Sequence, residues 1–206
     1  MGPTCPSWLW TGALSLGVLA GCASTRLDAQ WADPQRGASP LHGARVMVAC
    51  EAYDDVLARL CLDRLNDEIV ARGATPVPAP ATANPAPGRP LGPEQYLAAA
   101  RRAGARAVFT TYVTPAASSV SQGMSIGLGG FGVGGGGFGA GGGVTVPVGG
   151  GRLSIGYSAS SRVTDTASGR LLWTAKATSP PSGDVGRQLS ELTKAVFSAA
   201  DKAELF

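Results

Sequence analysis

The stretch ARVMVACEAYDDVLARLCLDRLNDEIVARGATPVPAP, residues 44 to 80, decides the fold. Its opening, ARVMVAC (44–50), is a short apolar run of strand type. Asp54 or Asp55 then supplies a helix cap, and Leu57, Leu60, Cys61, Leu65 and Ile69 recur at spacings of three and four, forming one apolar helical face. Gly73 stands at the left-handed cap position that ends such a helix. ATPVPAP follows as a second strand, so the domain opens with a strand-helix-strand unit.

Downstream, seven of the chain's 15 prolines fall between Thr75 and Pro93. The strand there therefore belongs at a sheet edge and passes into a stiff exposed loop, together 75–93. Pro93 suits the first turn of a second helix, PEQYLAAARRAGA, which Gly104 closes. RAVFTTYVTP (106–115) is another strand, rich in β-branched and aromatic residues. In RLSIGYSASSRVTD, Leu153, Ile155, Tyr157, Ala159 and Val163 alternate with Ser154, Ser158, Ser160, Arg162 and Thr164, the pattern of a half-buried antiparallel strand. A turn at TASG (166–169) returns it into RLLWTAKAT, with Trp173 in or beside the core. The last segment starts from a cap at Ser182 or Asp184 and carries Val185, Leu189, Leu192, Val196 and Ala199 on one face. This order predicts an α/β (α+β) fold: a small mixed sheet with about three helices packed on one face and a long glycine-rich β-hairpin.

Upstream, MGPTCPSWLWTGALSLGVLAGCAST has the layout of a secretory signal peptide, with an apolar part too short to remain as a membrane span. Leu19, Ala20, Gly21 and Cys22 resemble the bacterial lipobox, L-[AS]-[GA]-C. That resemblance implies cleavage between Gly21 and Cys22, a diacylglycerol on the Cys22 thiol, and an acyl chain such as palmitate on its new amino group. Each buried methylene contributes about 0.8 kcal/mol, so several chains on one cysteine make a lasting anchor where one is marginal. In the lipoprotein families this resembles, Asp after the cysteine retains the protein at the inner membrane. Ala23 and Ser24 stand here instead, which implies the outer membrane, with the protein facing the periplasm. The expected organisation is thus a signal peptide (1–21), a polar extended tether (22–41) and a single domain (42–206). Trp31 interrupts the tether and is expected to dock on the domain.

Residues 121–151 contain GLGGFG, a literal match to the dinucleotide pattern G-x-G-x-x-G. A phosphate cradle needs those glycines to open a helix, and VGGGGFGAGGG follows instead, where each glycine costs roughly 1 kcal/mol relative to alanine. Two readings remain for this hairpin, 121–151. One is an exposed low-complexity tip. The other is a membrane or self-assembly hairpin, in which Met124, Ile126 and Leu128 alternate on one limb and Val144, Val146 and Val148 on the other. Gly130 and the run Gly134 to Gly137 break that alternation.

Little in the chain suggests catalysis. Cys5 leaves with the signal and Cys22 is lipidated, so Cys50 and Cys61 remain in an oxidising compartment, either as a disulfide or as two buried thiols. His42 is the sole histidine, so neither a histidine triad nor a multi-histidine metal site can be built in one chain. Asp54, Asp55, Asp63, Asp67 and Glu68 spread around a helix as a cap and solvated faces, and Ser158, Ser160 and Ser161 lie on a strand without a nucleophile-elbow motif. No metal or cofactor is expected. The excess of 17 Lys and Arg over 14 Asp and Glu is too small to point to nucleic acid.

Several segments together resemble a family of uncharacterised bacterial envelope lipoproteins, a domain of unknown function. They are the W-x-D-P leader (Trp31 to Pro34), the first strand and helix, the alanine-rich helix running into AGARAVFTTYV, and a D-x-x-[ST]-G-x-x-x-W hairpin, here DTASGRLLW, Asp165 to Trp173. More distantly the chain resembles the small α/β domains of envelope assembly lipoproteins such as the curli secretion channel, where a tethered domain binds other envelope proteins or oligomerises. The expectation is a non-catalytic, lipid-anchored protein that binds an envelope component. The alternatives are a structural homo-oligomer whose hairpins associate at or in the membrane and, more weakly, a hydrolase of unrecognised type.

Overall fold

The strand β2 (Arg45–Ala52) organises the molecule, because its alternate side chains serve two separate cores. In the computed structural model, which describes residues 24–80, 94–120 and 153–206, Val46 and Val48 point into the larger core and Met47 and Ala49 into the smaller one. The signal segment, Gly21 and Cys22, residues 81–93 of the proline-rich loop and the glycine tract lie outside the described residues.

After β2 the chain turns at Tyr53 and Asp54 into α1 (Asp55–Ala71). The Asp54 carboxylate caps the helix by accepting from the Leu57 N–H at 2.9 Å. Leu57, Cys61, Leu65 and Ile69 are buried, whereas Leu60, at the margin of the apolar stripe, is exposed. The helix ends in a Schellman motif: Gly73, at φ +76°, donates to Val70, and Ala74 donates to Ile69. β3 (Thr75–Pro78) then pairs in parallel with β2. The N–H groups of Thr75 and Ala79 reach the Ala44 and Val48 carbonyls, so Pro76 and Pro78 occupy the alternate, outward positions where a donor would have no partner.

α2 (Glu94–Arg102), closed by Gly104 at φ +65°, leads into β4 (Ala107–Val120), which lies parallel to β2 on its other side. β5 (Leu153–Asp165), β6 (Leu171–Thr178) and β1 (Arg26–Ala32) continue the sheet in antiparallel fashion, giving six strands in the order β1-β6-β5-β4-β2-β3. α3 (Val185–Lys202), capped by the Asp184 carboxylate, lies with α1 on one face.

The mixed sheet with three helices agrees with the sequence pattern, but the helices do not share one face. α1 and α3 cover Val46, Val48, Phe109, Val163 and Trp173, while α2 packs Tyr96, Ala99 and Ala100 on the opposite side against Met47, Ala49 and Val108. A strand buried on both faces, as β2 is, needs a helix on each.

A second difference concerns the leader. Residues 26–32 form β1, the outer strand beside β6, rather than an unpaired tether. Trp31 is 48% exposed on that strand and is not docked into the core. Ala32 is the β1 residue that packs on the larger core.

Candidate functional site

Among the described residues, the sequence-selected side chains fall into separate places. Cys50 and Cys61 form a disulfide with Cα atoms 6.0 Å apart. Only Tyr53 and Asp54 separate the end of β2 from the start of α1, so the helix runs straight back over the strand it left. Cys61, in the second turn, therefore meets Cys50, two residues before the strand ends.

Asp54, Asp55, Asp63 and Asp67 are exposed, and Glu68 is engaged by Arg72. His42 is exposed in the turn before β2. Ser161 sits on the core-facing side of β5, where its hydroxyl lies 2.8 Å from that of Thr111 on β4. Among the described residues no three His, Cys, Asp or Glu side chains converge as a metal site.

The two motifs at either end of the family resemblance lock onto each other. In the hairpin turn, one Asp165 carboxylate oxygen accepts from the Ser168 N–H at 2.7 Å and from its hydroxyl at 2.6 Å, and Gly169 takes φ +72°. Burial pushes the Asp165 carboxyl up, but these bonds and the nearby Arg106 charge hold it below the usual range. The next residue, Arg170, pairs with Asp33 of the leader. Asp33 also accepts from the Gln35 N–H at 2.8 Å, and its own N–H donates to Leu172. Both motifs are thus structural fasteners that hold β1 to β6. A cavity of about 470 Å³ lies beside this turn, lined by Arg101, Arg106, Asp165 and Thr166. The Arg101 guanidinium already donates to the Thr166 carbonyl at 2.9 Å.

The sequence reading did not single out Glu51 and Tyr96. Glu51 follows Met47 and Ala49 on the α2 side of β2 and is buried, accepting from the Tyr96 hydroxyl at 2.8 Å. Burial first, and the carboxylate second, drive the Tyr96 phenol far above its ordinary range. The period-two pattern of β2 carried the signal, a lone acidic residue in an apolar strand.

The surface best placed to meet a partner is the part of the sheet that α2 leaves open. Pairing across the strands sets Trp31, Thr174, Arg162 and Thr110 in one row, and Ala29, Lys176, Ser160 and Tyr112 in the next. Arg162 and Lys176 are exposed, and the Lys176 charge acts on the Asp28 carboxylate of β1. An exposed indole and two exposed cations on the same sheet face offer stacking and anion contacts together.

No protein-family model matches the chain, and no curated protein does. Solved structures similar to it include two of the PelC dodecamer from Paraburkholderia phytofirmans. One has a TM-score of 0.48 at 13% identity, covering 84% of this chain and 95% of that one. The other has a TM-score of 0.48 at 16% identity, covering 88% and 96%. Lipoprotein GNA1162 from Neisseria meningitidis aligns with a TM-score of 0.44 at 18% identity, covering 77% of this chain and 99% of that one. These likenesses are too weak to carry a function across.

Proposed function

We propose that the protein is a non-catalytic lipoprotein, anchored through Cys22 in the outer membrane and facing the periplasm, that binds another envelope component through its open sheet face. The observation that carries this reading is the exposed pair of neighbouring rows that bear Trp31, Arg162 and Lys176, on a sheet whose first strand begins at Arg26, four residues after the lipidation candidate. Ala23 and Ser24 after the cysteine support the outer membrane as its address.

A photo-crosslinking residue at position 31, introduced into the protein in its native envelope, tests the binding surface. One discrete adduct, weakened by Arg162→Glu, supports the reading. Absence of any adduct, with the same residue at position 63 as control, sinks it. A second reading, a homo-oligomer held by its hairpins, is favoured by the long β4–β5 pairing that continues to Val120 and Leu153. The mass of the detergent-extracted protein separates the two, since a large homo-oligomer contradicts binding as a single tethered module.

A further inference from the structure

The start of β1 and the far end of the β4–β5 pairing lie at the same end of the sheet. Arg26 pairs with Thr178, Thr178 with Ser158, and Ser158 with Thr114, so these four form one row across β1, β6, β5 and β4. β1 comes into this row from the N-terminal side. Beyond the same row, β4 and β5 run on together, pairing Pro115 with Tyr157 and continuing to Val120 with Leu153; residues 179–182 flank the β5 limb as far as Ile155, where Ser182 bridges it, so only the last pairs stand as a two-stranded ribbon. β2 pairs with β4 only as far as Val113, and β6 pairs with β5 only from Ser158 onward.

Chain length fixes what this end can reach. The Thr25 hydroxyl donates to Glu191 on α3 at 3.1 Å, so the leader is already held to the domain there. The three steps from Thr25 back to Cys22 span roughly 11 Å at full extension. The ribbon extends roughly 17 Å past the Arg26 row, at about 3.3 Å per residue. It therefore reaches at least as far as an anchored Cys22 can stand away from the domain.

The β4 limb of the ribbon is distinguished by its lack of charge. From Ala107 to Gly151 the sequence contains no Asp, Glu, Lys, Arg or His, and the ribbon strand of β4 falls within that stretch. Away from the ribbon both ends of the sheet are charged, with Arg26, Asp28, Asp184 and Arg187 at this end and Arg45, Arg101, Arg106, Asp165 and Arg170 at the other. Charged groups are costly to bring near the acyl region, so an uncharged ribbon can approach the lipid surface closely, while its open backbone edges keep it from entering the hydrocarbon.

We infer that the Arg26 end of the sheet faces the bilayer and that the β4–β5 ribbon contacts its lipid surface. This orientation rests on the lipidation of Cys22 proposed above. The strands then stand steeply to the membrane, and the face bearing Trp31, Arg162 and Lys176 remains open to the periplasm. The leader is too short to turn the molecule over, because Asp165 on β5 lies roughly 23 Å beyond the Arg26 row on the far side.

The test uses the full mature lipoprotein in vesicles of phosphatidylethanolamine and phosphatidylglycerol, part of the lipid carrying brominated acyl chains. A fluorophore is placed singly through Ser154→Cys on the ribbon, Ser160→Cys on the open face and Ser168→Cys in the far turn. Loss of emission at position 154 alone is the expected result. Loss at 160 as well means that the sheet lies flat on the lipid, and loss only at 168, or at none, means that the ribbon points elsewhere; each overturns the orientation. The mass of the same sample is measured first. Absence of acyl chains on Cys22 removes the anchor and the orientation together, whereas an acylated protein with position 154 unquenched leaves the anchor standing and removes only the orientation.

Discussion

The guanidinium carbon of Arg72 lies 4.7 Å from the centre of the Phe197 ring, a contact that joins the last residue of the α1 cap to the buried face of α3. The same group grips Asp201 with two nitrogens, at 2.7 and 2.8 Å, and Glu68 with a third at 2.6 Å. Phe197 in turn stacks on Phe109 of β4 with centroids 5.2 Å apart. One side chain thereby couples two helices to the centre of the sheet. Arg72→Ala is expected to cost roughly 2 kcal/mol through lost charge-assisted bonds and the ring contact. Arg72→Lys should recover only part, since an ammonium cannot reproduce the fork. Chemical denaturation of the three proteins checks this, and equal midpoints for wild type and Arg72→Lys would refute the geometric argument.

The disulfide between Cys50 and Cys61 closes a loop of sequence separation 11. Loop-closure entropy gives such a bridge about 3 kcal/mol. Thermal melting with and without reductant should show a lower midpoint on reduction, and so should the Cys50→Ala, Cys61→Ala pair. An unchanged midpoint means that the bridge does not constrain the unfolded chain.

Gly156 is expected to tolerate no side chain. A Cβ there would stand 2.6 Å from the Ser179 carbonyl oxygen and 3.0 Å from the Pro181 nitrogen, both backbone atoms of the segment that crosses β5. The segment cannot retreat easily, because the Gln188 amide donates to the Ile155 and Pro180 carbonyls at 2.8 and 2.7 Å. Gly156→Ala should destabilise by about 1–3 kcal/mol, as overpacking does, while Gly183→Ala, with open space around it, serves as the control.

Glu204 holds the left-handed position that Gly73 and Gly104 occupy after the other helices, with φ +50°. Its neighbour Leu205 is fully buried and donates to Ala200, completing a Schellman motif without glycine. Glu204→Gly should therefore raise stability by about 1 kcal/mol, by relieving the strain of a side chain in that region. A lowered melting temperature would show that contacts of the Glu204 side chain outweigh the strain.

Acid should unfold the protein through a small set of carboxylates. The Gln35 N–H and then Arg170 hold Asp33 low; the Thr178 hydroxyl lowers Asp28; and Asp165 is lowered as described. A depressed group stabilises the fold above its unfolded value, and that contribution is lost as pH falls through the folded value. The melting temperature should thus fall below about pH 4, with a shallower fall for Asp33→Asn. At the alkaline limb the sign reverses. Burial and the Tyr53 hydroxyl push Tyr157 up to about 12, so its contribution holds below the unfolded value near 10 and is lost as pH rises toward 12. Ultraviolet titration of the phenols should show a late fraction that ionises together with unfolding.

The sequence was informative wherever a residue's role depends on its near neighbours. Asp54, Leu57, Cys61, Leu65, Ile69 and Gly73 define α1 almost completely, because cap, stripe and stop are local. The side of the sheet taken by α2 was not readable, since strand order determines it and nothing within PEQYLAAARRAGA does. β1 was missed because RLDAQWA lies on the sheet edge with both of its faces largely in water, which removes the alternation that marks a strand. Ser161 occupies an apolar position because Thr111, distant in sequence, satisfies it. The disulfide was only one of two readings, for it depends on how tightly the chain turns at Tyr53 and Asp54.

The two outer strands of the sheet differ as a capped and an uncapped end of a polymer differ. β3 presents proline at its outward positions and so acts as a chain stopper, while β1 keeps its outward donors and acceptors. Growth by strand addition is therefore self-limiting: two copies meeting at β1 would have a stopper at each outer end. Fibre growth is thereby blocked while one receptive edge remains.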